Sequence, residues 1–95
     1  MAQTMDYEVT SDDWLTISEL SSAFVQLKTN GPVIMFVGST LPTEAPYPGI
    51  VLEGNKLNAF ALDSLENDDL VAFRAMDNDV ERICLLTTAN PGAIG

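Results

Sequence analysis

Short apolar stretches broken by turn residues dominate the chain from residue 23 onward. They cover residues 23–28, 32–37, 50–52, 57–62, 70–76 and 80–88, and β-branched and aromatic side chains are frequent in them. Asn30-Gly31, Glu53-Gly54-Asn55, the acidic run 63–69 and Asp77-Asn78-Asp79 separate them. Short strands with turn signals about every eight to twelve residues are the pattern of a sandwich or barrel. No stretch joins a strand to a long helical pattern, which disfavours parallel α/β folds. The expectation is an all-β domain, a small antiparallel β-sandwich or barrel of about six to eight short strands.

The boundaries follow from the same pattern. Residues 1–11 are polar and acidic and predict a flexible N-terminal arm. Residues 12–89 form a single β domain, and residues 90–95 a small-residue tail. Trp14, Leu15 and Ile17 open either a strand or a short helix capped by Ser11, with Trp14, Ile17 and Leu20 three apart. Irregular chain leading into a strand is the favoured form. Asn30-Gly31 predicts a hairpin between the first two apolar runs, because both residues tolerate positive φ. Pro32 can open the second run but not sit in its centre. Residues 38–49 form a semi-rigid surface loop stiffened by Pro42, Pro46 and Pro48, with Leu41 and Tyr47 as its bulky members.

Several runs are apolar on both faces. Val33, Met35 and Val37 alternate with Ile34 and Phe36; Val71 and Phe73 back onto Leu70 and Ala72; Ile83 and Leu85 back onto Cys84 and Leu86. A solvated antiparallel sheet alternates apolar with polar residues, and one small sandwich interior covers only one face of each strand. The second face needs a cover. Either the loop 38–49 and the N-terminal segment fold over it, or another subunit does, since large exposed apolar patches usually mark contacts. Self-association is the favoured expectation, with Met35, Phe36, Val71 and Phe73 as interface or core residues.

Composition narrows the partners. Hydrophobic residues make up 46% and charged residues 19% of the 95, an ordinary globular balance. Fourteen acids against four bases (Lys28, Lys56, Arg74, Arg82) leave a net charge of -10. Such a surface repels phosphate backbones and anionic bilayers, so neither nucleic acid nor membrane is an expected partner. Basic protein surfaces, neutral sugars and divalent cations remain. High net charge also keeps a protein dispersed in solution. No run approaches the roughly 18 apolar residues of a membrane span. The first residues lack the basic and apolar regions of a signal peptide, which predicts synthesis in a reducing cytoplasm.

The chemistry-bearing residues are few. With no histidine, hydrolytic triads of the usual kind have no base. Cys84 is the single cysteine; in the apolar context Ile83-Cys84-Leu85-Leu86 it reads as a small buried hydrophobe. One cysteine cannot supply a zinc site, and the glycines are too scattered for a phosphate loop. The pairs Asp68-Asp69 and Asp77-Asn78-Asp79 suggest calcium only weakly, since Asp and Asn also serve turns. No catalytic residue, cofactor or metal ligand is therefore assigned, and the chain is not expected to be an enzyme. Trp14 fits core, interface or a sugar platform; Phe24, Phe36, Phe60 and Phe73 lie inside strand runs and read as core. Trp14, Leu41 and Tyr47 are the candidates for a partner or glycan contact.

The stretch from Asp13 to Thr88 resembles small virion proteins of tailed bacteriophages. The resemblance rests on Asp13-Trp14-Leu15-Thr16-Ile17-Ser18 and on the strand Ala23-Phe24-Val25-Gln26-Leu27 with its partner Gly31-Pro32-Val33-Ile34-Met35-Phe36-Val37-Gly38. It continues through Gly49-Ile50-Val51-Leu52-Glu53-Gly54 and Leu70-Val71-Ala72-Phe73-Arg74-Ala75. The resemblance implies a structural subunit of the decoration, knob or fibre-base type on capsid or tail. It implies assembly as a homotrimer, contact with other virion proteins and a place in the virion after synthesis in the bacterial host cytoplasm. It brings no catalytic residues. Two rivals stand beside it: a carbohydrate-binding or host-attachment module using Trp14 or Tyr47, and an acidic inhibitor that mimics DNA.

Overall fold

The computed structural model describes residues 2–66, 68–77 and 80–89. The expected tail 90–95 and the turn residues Asn78 and Asp79 lie outside them. Eight strands follow in order: β1 (Ala2–Val9), β2 (Leu15–Ser18), β3 (Leu20–Leu27), β4 (Val33–Gly38), β5 (Ile50–Leu52), β6 (Ala59–Leu62), β7 (Leu70–Ala75) and β8 (Glu81–Ala89). They make two four-stranded antiparallel sheets packed as a sandwich. Sheet I has the order β1-β8-β3-β6 and sheet II the order β2-β7-β4-β5. The all-β sandwich expected from the spacing of turns is the fold.

Alternation along each strand decides which side chains enter the core. In β8, Glu81, Ile83 and Leu85 are buried while Arg82 and Leu86 are exposed. In β3, Ala23, Val25 and Leu27 point inward while Phe24 and Gln26 point out. Sheet II answers with Val33 and Met35 from β4, Leu52 from β5, and Val71, Phe73 and Ala75 from β7. Phe73, Met35 and Leu52 are the largest wholly buried side chains. Each such side chain contributes about 1.5–3 kcal/mol relative to exposure. Leu65, from the acidic loop after β6, joins the same cluster, held by a hydrogen bond from its N–H to the Ser21 carbonyl (3.0 Å).

Two expectations need correction. The first is the arm at residues 1–11. Residues 2–9 form β1, which pairs with β8 along its whole length from Ala2↔Thr88 to Val9↔Glu81. Polar composition hid it because β1 is an edge strand with one solvated face, and only Val9 is buried among its described side chains. The second is the hairpin at Asn30-Gly31. β3 pairs with β6 and β8, whereas β4 pairs with β5 and β7, so the segment crosses from one sheet to the other. A two-residue hairpin would set residues 27 and 33 into one sheet. Here Leu27 and Val33 enter the same interior from opposite sheets.

The Glu81 carboxylate shapes that crossing. Glu81 is 4% exposed, and it accepts hydrogen bonds from the Thr29 hydroxyl and from the Gly31 N–H (2.7 Å). Gly31 has φ of 74°, and a Cβ there would stand 2.7 Å from the Leu52 carbonyl oxygen, so only glycine fits. Every connection except β4 to β5 crosses between the sheets. Glu19, with φ of 62°, is the single residue between β2 and β3 and turns the chain from sheet II to sheet I.

Candidate functional site

The fold gives the two sheets different outer faces. On sheet II the outward positions are Ile34 and Phe36 of β4, Leu70, Ala72 and Arg74 of β7, and Val51 of β5. Ile34 is nevertheless 3% exposed and Ala72 0%. Their cover comes from the chain itself. The Trp14 ring lies 6.3 Å from Phe36 and meets Tyr47 edge-on at 5.2 Å. Its indole N–H donates to the Pro42 carbonyl at 3.2 Å, tying the Pro-rich loop to the entry of β2. At the other end of the loop Gly49 touches β4. A Cβ there would fall 2.5 Å from the Met35 carbonyl oxygen, and its φ of 150° also favours glycine.

The loop thus provides the second cover that the two-sided strands of sheet II require. Met35, Val71 and Phe73 lie in the core, and Phe36 is half-buried near Trp14. Leu41 is half-buried in the loop. Trp14 and Tyr47, far apart in sequence, come together; Arg74 joins them, its guanidinium carbon 5.8 Å from the Trp14 ring centre and 5.0 Å from that of Tyr47. Beside this group a pocket of about 300 Å³ is lined by Ser11, Ile34, Ala45, Pro46, Tyr47, Arg74, Ala75 and Met76.

Sheet I has no such cover among the described residues. Its outward rows, read from the register, are Thr4–Leu86–Phe24–Ala61 and Asp6–Cys84–Gln26–Ala59. Phe24 is 45% and Leu86 47% exposed, side by side on the two central strands. The expectation that Phe24 is core is corrected here. Ala23, Val25 and Leu27 occupy the inward positions of β3, so Phe24 must face out. Gln26, two residues on, was the signal: a polar residue in phase with Phe24 marks the solvated face.

Charge is balanced on this face. Lys28 pairs with Asp6 at 3.3 Å, and Arg82 stands opposite Glu8 in the β1–β8 register. Two of the four basic residues therefore sit here with two acids, while the other twelve acids share the rest of the chain with Lys56 and Arg74. Cys84 belongs to the same face, half-buried rather than in the core. Its odd-numbered neighbours Ile83 and Leu85 take the inward positions, which leaves the thiol outside.

Cys84 and Asp6 face each other across the β1–β8 register. The polar Cys84 thiol facing Asp6, and then Lys28 beside it, hold the Asp6 carboxyl below its ordinary 3.8. Desolvation first, and then the facing Asp6 carboxylate, push the thiol above its ordinary 9.0. The folded state therefore binds the thiol proton more tightly. That contribution to stability is present below pH 9.0 and fades as pH rises through the folded value; the Asp6 contribution is present above pH 3.8 and fades as pH falls through its folded value. Alkylation of Cys84 in the native protein will show a rate-against-pH midpoint above 9.0. A midpoint below the ordinary thiol value would contradict this environment.

In the acidic loop, the Asp69 carboxylate accepts from the Glu66 N–H at 2.9 Å and the Asp63 carboxylate from the Ser64 N–H at 2.9 Å, which is turn chemistry. Among the described residues no three Asp, Glu or Cys side chains converge as a metal site. Among the described residues no helix is long and apolar enough to cross a membrane. The architecture defines the class, an antiparallel β-sandwich with one self-covered and one open face. No protein-family model matches the chain, and no curated protein matches it.

Proposed function

We propose that the chain is a structural subunit that self-associates through the outer face of sheet I, in the manner its resemblance to small bacteriophage virion proteins implies. One observation carries the reading: the cross-strand pair Phe24 and Leu86 is exposed at 45% and 47% within a patch of balanced charge. On a chain of net charge -10, copies repel over most of their surface. The sheet I face is where two copies meet at least electrostatic cost. The long edge of β1 borders it and extends the contact surface. The homotrimer and the virion location belong to this proposal, with the acidic loops left for other virion proteins. No catalytic role is assigned to any residue.

A sugar platform finds less support. Trp14 and Tyr47 meet at an interplanar angle of 76°, and Arg74 lies against both rings, so they offer no shared flat face.

Phe24→Lys and Leu86→Lys test the assembly surface. Each lysine reduces the overall negative charge, so general repulsion between copies falls. If apolar contact at this face drives association, each substitution still weakens it at least about tenfold, the worth of roughly 1.4 kcal/mol of lost burial. Sedimentation equilibrium reads the effect. Unchanged association in both variants would remove sheet I from the interface.

A further inference from the structure

We propose that the pocket beside the Pro-rich loop binds a carboxylate carried on a compact apolar body, with the Arg74 guanidinium as its partner. This site does not rest on the assembly reading, since it lies on the opposite sheet. Acids outnumber bases fourteen to four in the chain, yet among the described residues none forms an ion pair with Arg74 and no acceptor takes a hydrogen bond from it. Trp14 and Tyr47 hold the group instead, at 5.8 and 5.0 Å. Contacts with ring faces engage the cation's charge without consuming its N–H donors. The result is a guanidinium of restricted position with an open fork.

The walls define the rest of the ligand. Ile34, Pro46, Tyr47 and Met76 supply apolar surface, and Ser11 adds a hydroxyl. Among the described residues no acidic side chain lines the pocket, so a cationic ligand finds no partner among them. A planar carboxylate matches a single guanidinium bidentately, whereas a phosphate dianion needs further donors and pays more against a chain of net charge -10. The volume of about 300 Å³ suits a small acid or the carboxyl end of a peptide.

Trp14 is the sole tryptophan and lies against Arg74, so its fluorescence reports occupancy directly. The probes are hexanoate against hexanamide, and the tripeptide Ala-Leu-Leu with a free carboxyl against its C-terminal amide. At least one acid will produce a saturable change, with a Kd on the order of millimolar. Its neutral amide will bind at least about tenfold more weakly, as loss of a charge-assisted pair requires. The tighter acid identifies the source, free acid or peptide end. Arg74→Gln will abolish the difference between acid and amide. Met76→Ala, at an exposed pocket wall that the fold does not need, will weaken both members of the pair while leaving the circular dichroism unchanged. Equal binding of acid and amide, or no saturable change with either acid, would overturn the proposal.

Discussion

Phe73→Ala will lower the unfolding free energy by about 3–5 kcal/mol, the range for deleting a buried aromatic side chain. Phe73 is 0% exposed and sits on the central strand β7, opposite Met35 on one side and Leu15 on the other. From there it projects into the cluster that Val25, Ile83 and Leu85 complete from sheet I. The surrounding strands belong to two hydrogen-bonded sheets and cannot collapse into the space left. A domain of this size has only about 5–15 kcal/mol in total, so the variant will be marginal. Urea unfolding checks this. The midpoint should fall sharply with little change in slope, and Phe73→Leu should recover much of the loss. A loss under about 1 kcal/mol would place Phe73 outside the core that organises both sheets.

Glu81→Leu will cost about 2–4 kcal/mol although leucine suits an interior better than glutamate. The carboxylate is the acceptor for the Thr29 hydroxyl and the Gly31 N–H, both at the crossing from β3 to β4. Removing it strands two donors in a nearly closed site, each worth roughly 1–3 kcal/mol when unsatisfied. The Thr29 hydroxyl also accepts from the Arg82 N–H at 3.2 Å, so it cannot turn freely to a new partner. Both bonds fall on the same oxygen, Oε1, so Glu81→Gln keeps both acceptor contacts, loses only the charge and should cost about half as much or less. Hydrogen exchange at the Gly31 amide discriminates the cause. It will accelerate far more in Glu81→Leu than in Glu81→Gln, and equal acceleration would count against the carboxylate as the crossing's anchor.

The sandwich was legible because turn residues and apolar runs alternate at the spacing such folds require. Ile50–Leu52 is a strand with the bounds the sequence suggested, and β7 and β8 differ by a residue or two at their ends. Pairing was not legible. Asn30-Gly31 carries local hairpin chemistry, but the inward demand of Leu27 and Val33 from opposite layers overrides it. β1 escaped notice because an edge strand with a solvated face needs few apolar residues.

The surfaces were legible only in part. Two-sided apolarity demanded a second cover and favoured another subunit for it; on sheet II Trp14 and the Pro-rich loop supply it instead. The open face is the outer side of sheet I, where the run 83–86 is apolar on both faces. Gln26 and Arg82 mark the outward phase of β3 and β8, and that phase takes Phe24, Cys84 and Leu86 outside with them. Arg74 carried no signal of its own, because its meeting with Trp14 and Tyr47 depends on how a long loop folds back over β7.

The molar mass of the native protein in dilute buffer, followed over concentration by sedimentation equilibrium, is the most direct measurement of whether the uncovered sheet I face joins copies. The account predicts a species heavier than the 10.3 kDa chain, at three times that mass for the trimer, which dissociates when Phe24 is replaced by lysine. A single 10.3 kDa species persisting to high micromolar concentration would contradict it.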